Sequence, residues 1–161
     1  MARQESDRED LLREATALAE RAELQIPGES EPVTVGFRRD GSLSLFFGAD
    51  PVYQFNTAGE LRRAFADSLL YKAERGRLVS LRRERSECEV ALVRRELSSD
   101  ETEAFLTEAG ARLLRLGKAL QSGQFQLLGQ VPADGDVAVR VSNWLNALPA
   151  VLAIAFRPNA R

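Results

Sequence analysis

The sequence predicts an α+β fold: an N-terminal helix, an antiparallel β-meander over about residues 33–96, and C-terminal helices packed on one face of the sheet. Three observations carry this. Residues 6–24 repeat apolar side chains at helical spacing. Residues 33–96 hold short alternating runs punctuated by turn residues. Residues 98–121 open on a helix-start signature and return to a helical period. Strands in succession followed by helices place the helices on one side of the sheet. A chain of 161 residues fits one domain. Within it, 1–27 is the N-terminal helix and linker, 33–97 the sheet, and 98–161 the helical C-terminal part.

In the N-terminal helix, Leu11, Leu12, Ala15, Leu18, Ala19 and Ala22 recur three and four residues apart, with Glu and Arg between them. The acidic first turn, Glu5 to Asp10, suits the positive end of the helix dipole. Pro27-Gly28 ends the element, and Gly28 to Pro32 forms a linker. The helix is expected to dock on the rest of the domain.

In the meander, Val33, Val35 and Phe37 alternate with Thr34, Gly36 and Arg38, and Leu43, Leu45 and Phe47 follow after Asp40-Gly41. Asp-Gly between two alternating runs predicts a tight hairpin with positive φ at both turn residues. Gly48 to Pro51 is a second break, and Val52 to Phe55 a short strand. Residues 57–76 admit two readings. Thr57-Ala58-Gly59-Glu60 can open a helix from Leu61 to Arg75, closed by Gly76. Alternatively, Asn56 to Gly59 is a type I turn with a glycine bulge, Ala66 to Ser68 a second turn and Ala73 to Gly76 a third. The hairpin reading is preferred because strands then run unbroken through the region. Leu78 to Leu81 and Val90 to Val93 flank the polar turn Arg85 to Glu87 and predict an antiparallel pair. Cys88, Val90 and Leu92 share a face, so Cys88 is expected to be buried.

Ser98 to Glu101 starts the next helix, with Phe105, Ala109, Leu113, Leu116 and Leu120 inward and Gly123 as terminator. Phe125 to Leu128 reads as a short strand and Pro132 to Gly135 as a turn. Asp136 caps a further helix carrying Val137, Val141, Trp144, Leu145 and Leu148. Pro149 is expected to disrupt it, leaving Ala150 to Phe156 open between strand and helix.

Composition narrows the function. The chain has no histidine and one cysteine, which excludes Ser-His-Asp and Cys-His catalysis, Cys/His zinc sites and a disulfide framework. No cofactor is implied. The first ten residues are charged without an apolar core, and the longest apolar run, Ala147 to Phe156, has 10 residues, too few to span a bilayer. A soluble, cytoplasmic protein without membrane attachment follows. The net charge of −2 offers a polyanion no general attraction. The charge is uneven, however: residues 1–31 hold 4 Arg and 9 acids, and residues 32–97 hold 12 Arg or Lys and 9 acids.

Four places invite a functional reading. The first is an arginine row. If Val35/Phe37, Leu61/Phe65, Val79/Leu81 and Val90/Leu92 face the core, Arg38, Arg62, Arg82 and Arg95 lie on the outer face. Such a row offers guanidinium groups to phosphates, with Phe46 as a stacking surface. Glu60, Glu84 and Glu89 fall on the same outer face, and an Arg/Glu checkerboard is what a solvated sheet ordinarily carries. The second is the loop Gly48 to Tyr53, where Tyr53 with Tyr71 could supply hydroxyls, although strand tyrosines usually pack. The third is Asp134-Gly135-Asp136, which lacks the downstream spacing of a calcium loop and is explained by a turn and a helix cap. The fourth is Trp144, read as core rather than as a subunit contact.

By elimination the sequence predicts a non-catalytic binding or protein-interaction module, its partner an unidentified protein or a second copy of the chain. A nucleic-acid- or anion-binding domain using the arginine row is the second reading. A histidine-independent enzyme built on carboxylates or tyrosines is the third.

Overall fold

Period-two alternation bounded by glycine turns builds residues 20–96 into one antiparallel sheet. A computed structural model describes residues 13, 16–66, 69–75 and 77–155, with side chains described as far as Asn146. The strands are β1 (Glu20–Gln25), β2 (Val33–Phe37), β3 (Leu43–Phe47), β4 (Val52–Phe55), β5 (Leu61–Ala66), β6 (Leu69–Glu74), β7 (Arg77–Ser86), β8 (Glu89–Glu96) and β9 (Gln126–Val131). The helices are α1 (Ser99–Ser122) and α2 (Val137–Ala155). β1 to β8 follow one another across the sheet, and β9 returns to pair with β1 at the far edge. Among the described residues no helix is long and apolar enough to cross a membrane.

The strands of the preferred hairpin reading of 57–76 are present as β5 and β6, which exclude a helix there, while Asp67, Ser68 and Gly76 of the expected turns lie outside the described residues. Gly59, at φ 84°, closes the Asn56 turn, where its N–H donates to the Asn56 carbonyl and Asn56 Oδ1 accepts from Ala58 and Glu60. The turn at Gly41 differs from expectation in type. Gly41 alone has positive φ, 89°, and Arg38 N–H bonds the Ser42 carbonyl around it. Asp40 accepts from Ser42 N–H and from its hydroxyl instead of taking a left-handed conformation.

Two expectations are corrected near the ends. The helix expected over 6–24 does not extend to its C-terminal third: Arg13 and Thr16 are helical, but Glu20–Gln25 is strand β1. The remainder, residues 1–12, 14 and 15, lies outside the described residues. The pairing of β1 with β2 on one side and β9 on the other satisfies its backbone, and this outweighs the helix propensity of its Ala, Glu and Leu residues. Pro149 does not end the last helix, which continues to Ala155. A proline removes one backbone donor, and the alanine- and leucine-rich flanks carry the helix past it.

Both helices pack on one face of the sheet. Ala22, Leu24, Val33, Val35, Phe37, Leu43, Leu45, Phe47, Tyr53, Phe55, Leu61, Ala64 and Leu78 form the core there with Ala109, Leu113 and Leu116 of α1 and Val137, Val141 and Leu145 of α2. Trp144, expected in the core, is half-buried against it and meets Phe37 edge-on at 6.0 Å. A second, smaller cluster on the opposite face joins Leu18, Phe46 and Val52, with Phe65 against it.

α1 matches the sequence signature closely. The Ser98 hydroxyl accepts from Glu101 N–H while the Glu101 carboxylate accepts from Ser98 N–H, a complete capping box. Gly123 ends the helix at φ 75°, in the left-handed conformation.

Candidate functional site

A single β-bulge decides which residues the outer strands display. β4 and β5 pair Gln54 with Arg63 but Phe55 with Leu61, so Arg62 is an extra residue. From there onward the side-chain alternation is inverted. Leu61 and Ala64 face the helices, while Phe65 lies across from Val52 on the opposite face. The inversion passes through the ladder: Phe65 opposes Leu70, Leu70 opposes Leu81, and Leu81 opposes Arg94. Leu81, Val90 and Leu92 therefore sit on the face away from the helices, and Arg82 and Arg95 share the helix-covered side. The expected face assignment for β7 and β8 is thus corrected.

The arginines named from the sequence do not form one row. Arg82 and Arg95 are diagonal neighbours on β7 and β8. Arg62 stands at the bulge of β5. Arg38 follows β2, which four strands separate from β7, a distance of about 24 Å at the usual strand spacing. Arg95 is held by Glu101, Nη1 and Nη2 each donating at 2.9 Å to one carboxylate oxygen. Arg94 bonds Glu74 at 2.6 Å and Arg77 bonds Glu96 at 3.1 Å. Phe46 and Tyr53 are both buried, at 4% exposure, on opposite faces of the sheet. Burial pushes the Tyr53 hydroxyl up to about 12, so it stays protonated at neutral pH and gives up its proton poorly. Tyr71 packs on Phe105 with ring centroids 4.6 Å apart. Asp136 caps α2 by accepting from Val139 N–H. Among the described residues no three His, Cys, Asp or Glu side chains are grouped to hold a metal ion.

What the outer strands do build is an arm. β6 pairs with β7 only as far as Leu81. Beyond it, five rungs of β7 and β8, from Arg82–Val93 to Ser86–Glu89, continue as a two-stranded ribbon. At the usual rise this projects about 17 Å. The tip is the two-residue loop Glu87-Cys88, with Glu87 at φ 50°. Every residue from Arg82 to Glu96 is exposed. Val90, Leu92 and Val93 are 57%, 64% and 42% exposed. Cys88 is exposed as well, a correction to the expectation that it packs with Val90 and Leu92. The alternation is real, but neither helix nor neighbouring strand reaches far enough to cover it.

The arm is rooted firmly. The Arg95–Glu101 fork and the capping box share one carboxylate, tying the end of β8 to the first turn of α1. The Arg95 guanidinium and the Ser98 N–H hold the Glu101 carboxyl down at about 2, well below its ordinary range. The Arg94 guanidinium lowers Glu74 in the same direction. Sequence reasoning missed the arm because its signal, β7 being longer than β6, depended on where β6 begins.

Comparison of the chain with protein-family models, curated proteins and solved structures finds no match.

Proposed function

We infer that this chain is a non-catalytic protein-interaction module whose contact element is the β7–β8 arm. The observation that carries the reading is the exposure of Val90, Leu92 and Val93 on a ribbon that, among the described residues, gains no third strand. A two-stranded ribbon standing alone in water is marginally stable. Aliphatic side chains grouped on such an element favour a partner that adds area and covers them. The free edge of β8 offers backbone donors and acceptors for strand addition. Residues 82–89 carry three arginines and three glutamates, so the arm is balanced in charge and suits a protein surface better than a polyanion. The reading takes residues 1–161 as one domain, since β9 ties the C-terminal part back to β1. It also suits a reducing, cytoplasmic setting for the exposed Cys88 thiol.

The test uses that thiol. Cys88 carries a photo-crosslinker, and the adducts are compared between the wild-type chain and Val90→Lys. The reading expects protein adducts that Val90→Lys abolishes while leaving the circular dichroism and Tm unchanged. Adducts unaffected by Val90→Lys would overturn it.

A second reading, nucleic-acid or anion binding, rests on Arg82, Arg83 and Arg85 lying close together on the arm. Glu84, Glu87 and Glu89 oppose it. Binding to a generic RNA that weakens steeply with salt, and further on Arg82→Glu/Arg85→Glu, would favour this second reading. An enzymatic reading gains nothing from the geometry, since Tyr53 is buried and its proton is held tightly.

A further inference from the structure

We propose that the partner of the arm is a second copy of this chain, joined by antiparallel pairing of the two β8 strands about a two-fold axis at Leu92. This rests on the reading of the arm as the contact element. The backbone sets the first condition. Leu97 N–H donates to the Leu78 carbonyl directly across from it. By the alternation of an antiparallel ladder, Arg95, Val93, Ala91 and Glu89 then turn their backbone groups toward β7. Val90, Leu92 and Arg94 turn theirs to the open edge. Pairing two β8 strands with Leu92 opposite Leu92 sets Val90 opposite Arg94, so these six outward-facing residues meet in hydrogen-bonding register.

Side chains select this register from its neighbours. On the helix-covered side, Glu89 falls opposite Arg95 of the second copy and Ala91 opposite Val93, twice over by symmetry. On the other side, the Leu92 pair sits at the axis and Val90 lies along the aliphatic stem of Arg94. Moving the axis to Val93 sets Arg94 against Leu92 and Arg95 against Ala91, with no opposite charges paired. Moving it to Ala91 sets Arg95 level with the turn residue Glu87 and carries Glu96 past the turn, which shortens the ladder. The Leu92 axis alone pairs Glu89 with Arg95 along nearly the whole of β8. It converts two isolated two-stranded arms into one four-stranded sheet, and the contact closes on itself, as an isologous dimer must.

The experiment measures mass and register together. Analytical ultracentrifugation of the wild-type chain is expected to show a dimer. Leu92→Lys is expected to be monomeric with an unchanged circular dichroism spectrum, because it sets like charges against each other at the axis. Leu92→Glu is monomeric for the same reason, and mixing the two variants restores a dimer. Register is read by disulfide trapping with the native Cys88. This register places Cys88 opposite position 96 of the second copy, within the separation a disulfide spans. Glu96→Cys therefore forms an interchain disulfide under mild oxidation, whereas Arg94→Cys and the wild type do not. A wild-type monomer at every concentration would overturn the dimer, yet would leave the arm as a contact element if Val90→Lys still abolishes protein adducts. A dimer surviving Leu92→Lys, no restoration on mixing, or trapping by Arg94→Cys would overturn the Leu92 axis.

Discussion

Gly36 stands where any side chain would collide with Glu20: a Cβ built on it meets the Glu20 carbonyl oxygen at 2.5 Å. The same Cβ meets Leu18 Cδ1 at 2.7 Å. Gly36 lies in β2, and the chain preceding β1 crosses over it on the way to seating Leu18 against Phe46 and Val52. Gly36 is thus required by close approach of backbone. Gly36→Ala is expected to destabilise the fold by about 1–3 kcal/mol, because the obstacle is main chain that cannot rotate away. Urea denaturation measures this, and an unchanged midpoint would show that the crossing is looser than described.

Ser44 offers the opposite case. It is fully buried in β3, and its hydroxyl has no hydrogen-bond partner. A buried polar atom without a partner carries a desolvation cost, so Ser44→Ala is expected to raise stability by about 1 kcal/mol. A fall in Tm for this variant would reveal a partner for the hydroxyl.

Acid should loosen the root of the arm. The folded-state Glu101 carboxyl, near 2, lies below its ordinary 4.5. A depressed carboxylate contributes stability that is fully present above its unfolded-state value and is lost as pH falls through the folded-state value. The advantage of the wild type over Glu101→Gln is therefore expected to be constant above about pH 5 and to shrink between roughly 4.5 and 2. Tm measured against pH for both proteins checks this. Parallel curves down to pH 2 would mean that the Arg95–Glu101 fork is not formed in solution.

Cys88 should label readily. It stands exposed at the arm tip, so a thiol reagent at mildly alkaline pH is expected to modify it stoichiometrically without unfolding. Labelling that waits on denaturant would mean that the tip is covered in the free protein.

Much of the architecture was legible because it is local. The capping box at Ser98 and Glu101, the left-handed Gly123 and the glycine turns at Gly41 and Gly59 are each settled by a few consecutive residues. These devices satisfy their own backbone groups, so sequence spacing is enough to find them. Alternation likewise announced the strands from Val33 to Glu96.

Position in space was decided elsewhere. Glu20–Gln25 has a helical apolar spacing and is a strand, because β2 and β9 supply its hydrogen bonds from distant parts of the chain. One extra residue at Arg62 inverted the faces carried through β6, β7 and β8, and no spacing rule locates a bulge. Val90 and Leu92 show why this matters for the candidate site. Alternation determined that they share a face, whereas whether anything covers that face depends on how far β6 extends and where α1 crosses. The sequence by itself determined the strands from Val33 to Glu96, the glycine turns and the helix caps, whose energetics lie within a few residues. Only the tertiary structure decided that β7 and β8 outrun their neighbours and leave Val90, Leu92 and Val93 exposed on an otherwise charged arm, because burial is a property of what lies alongside.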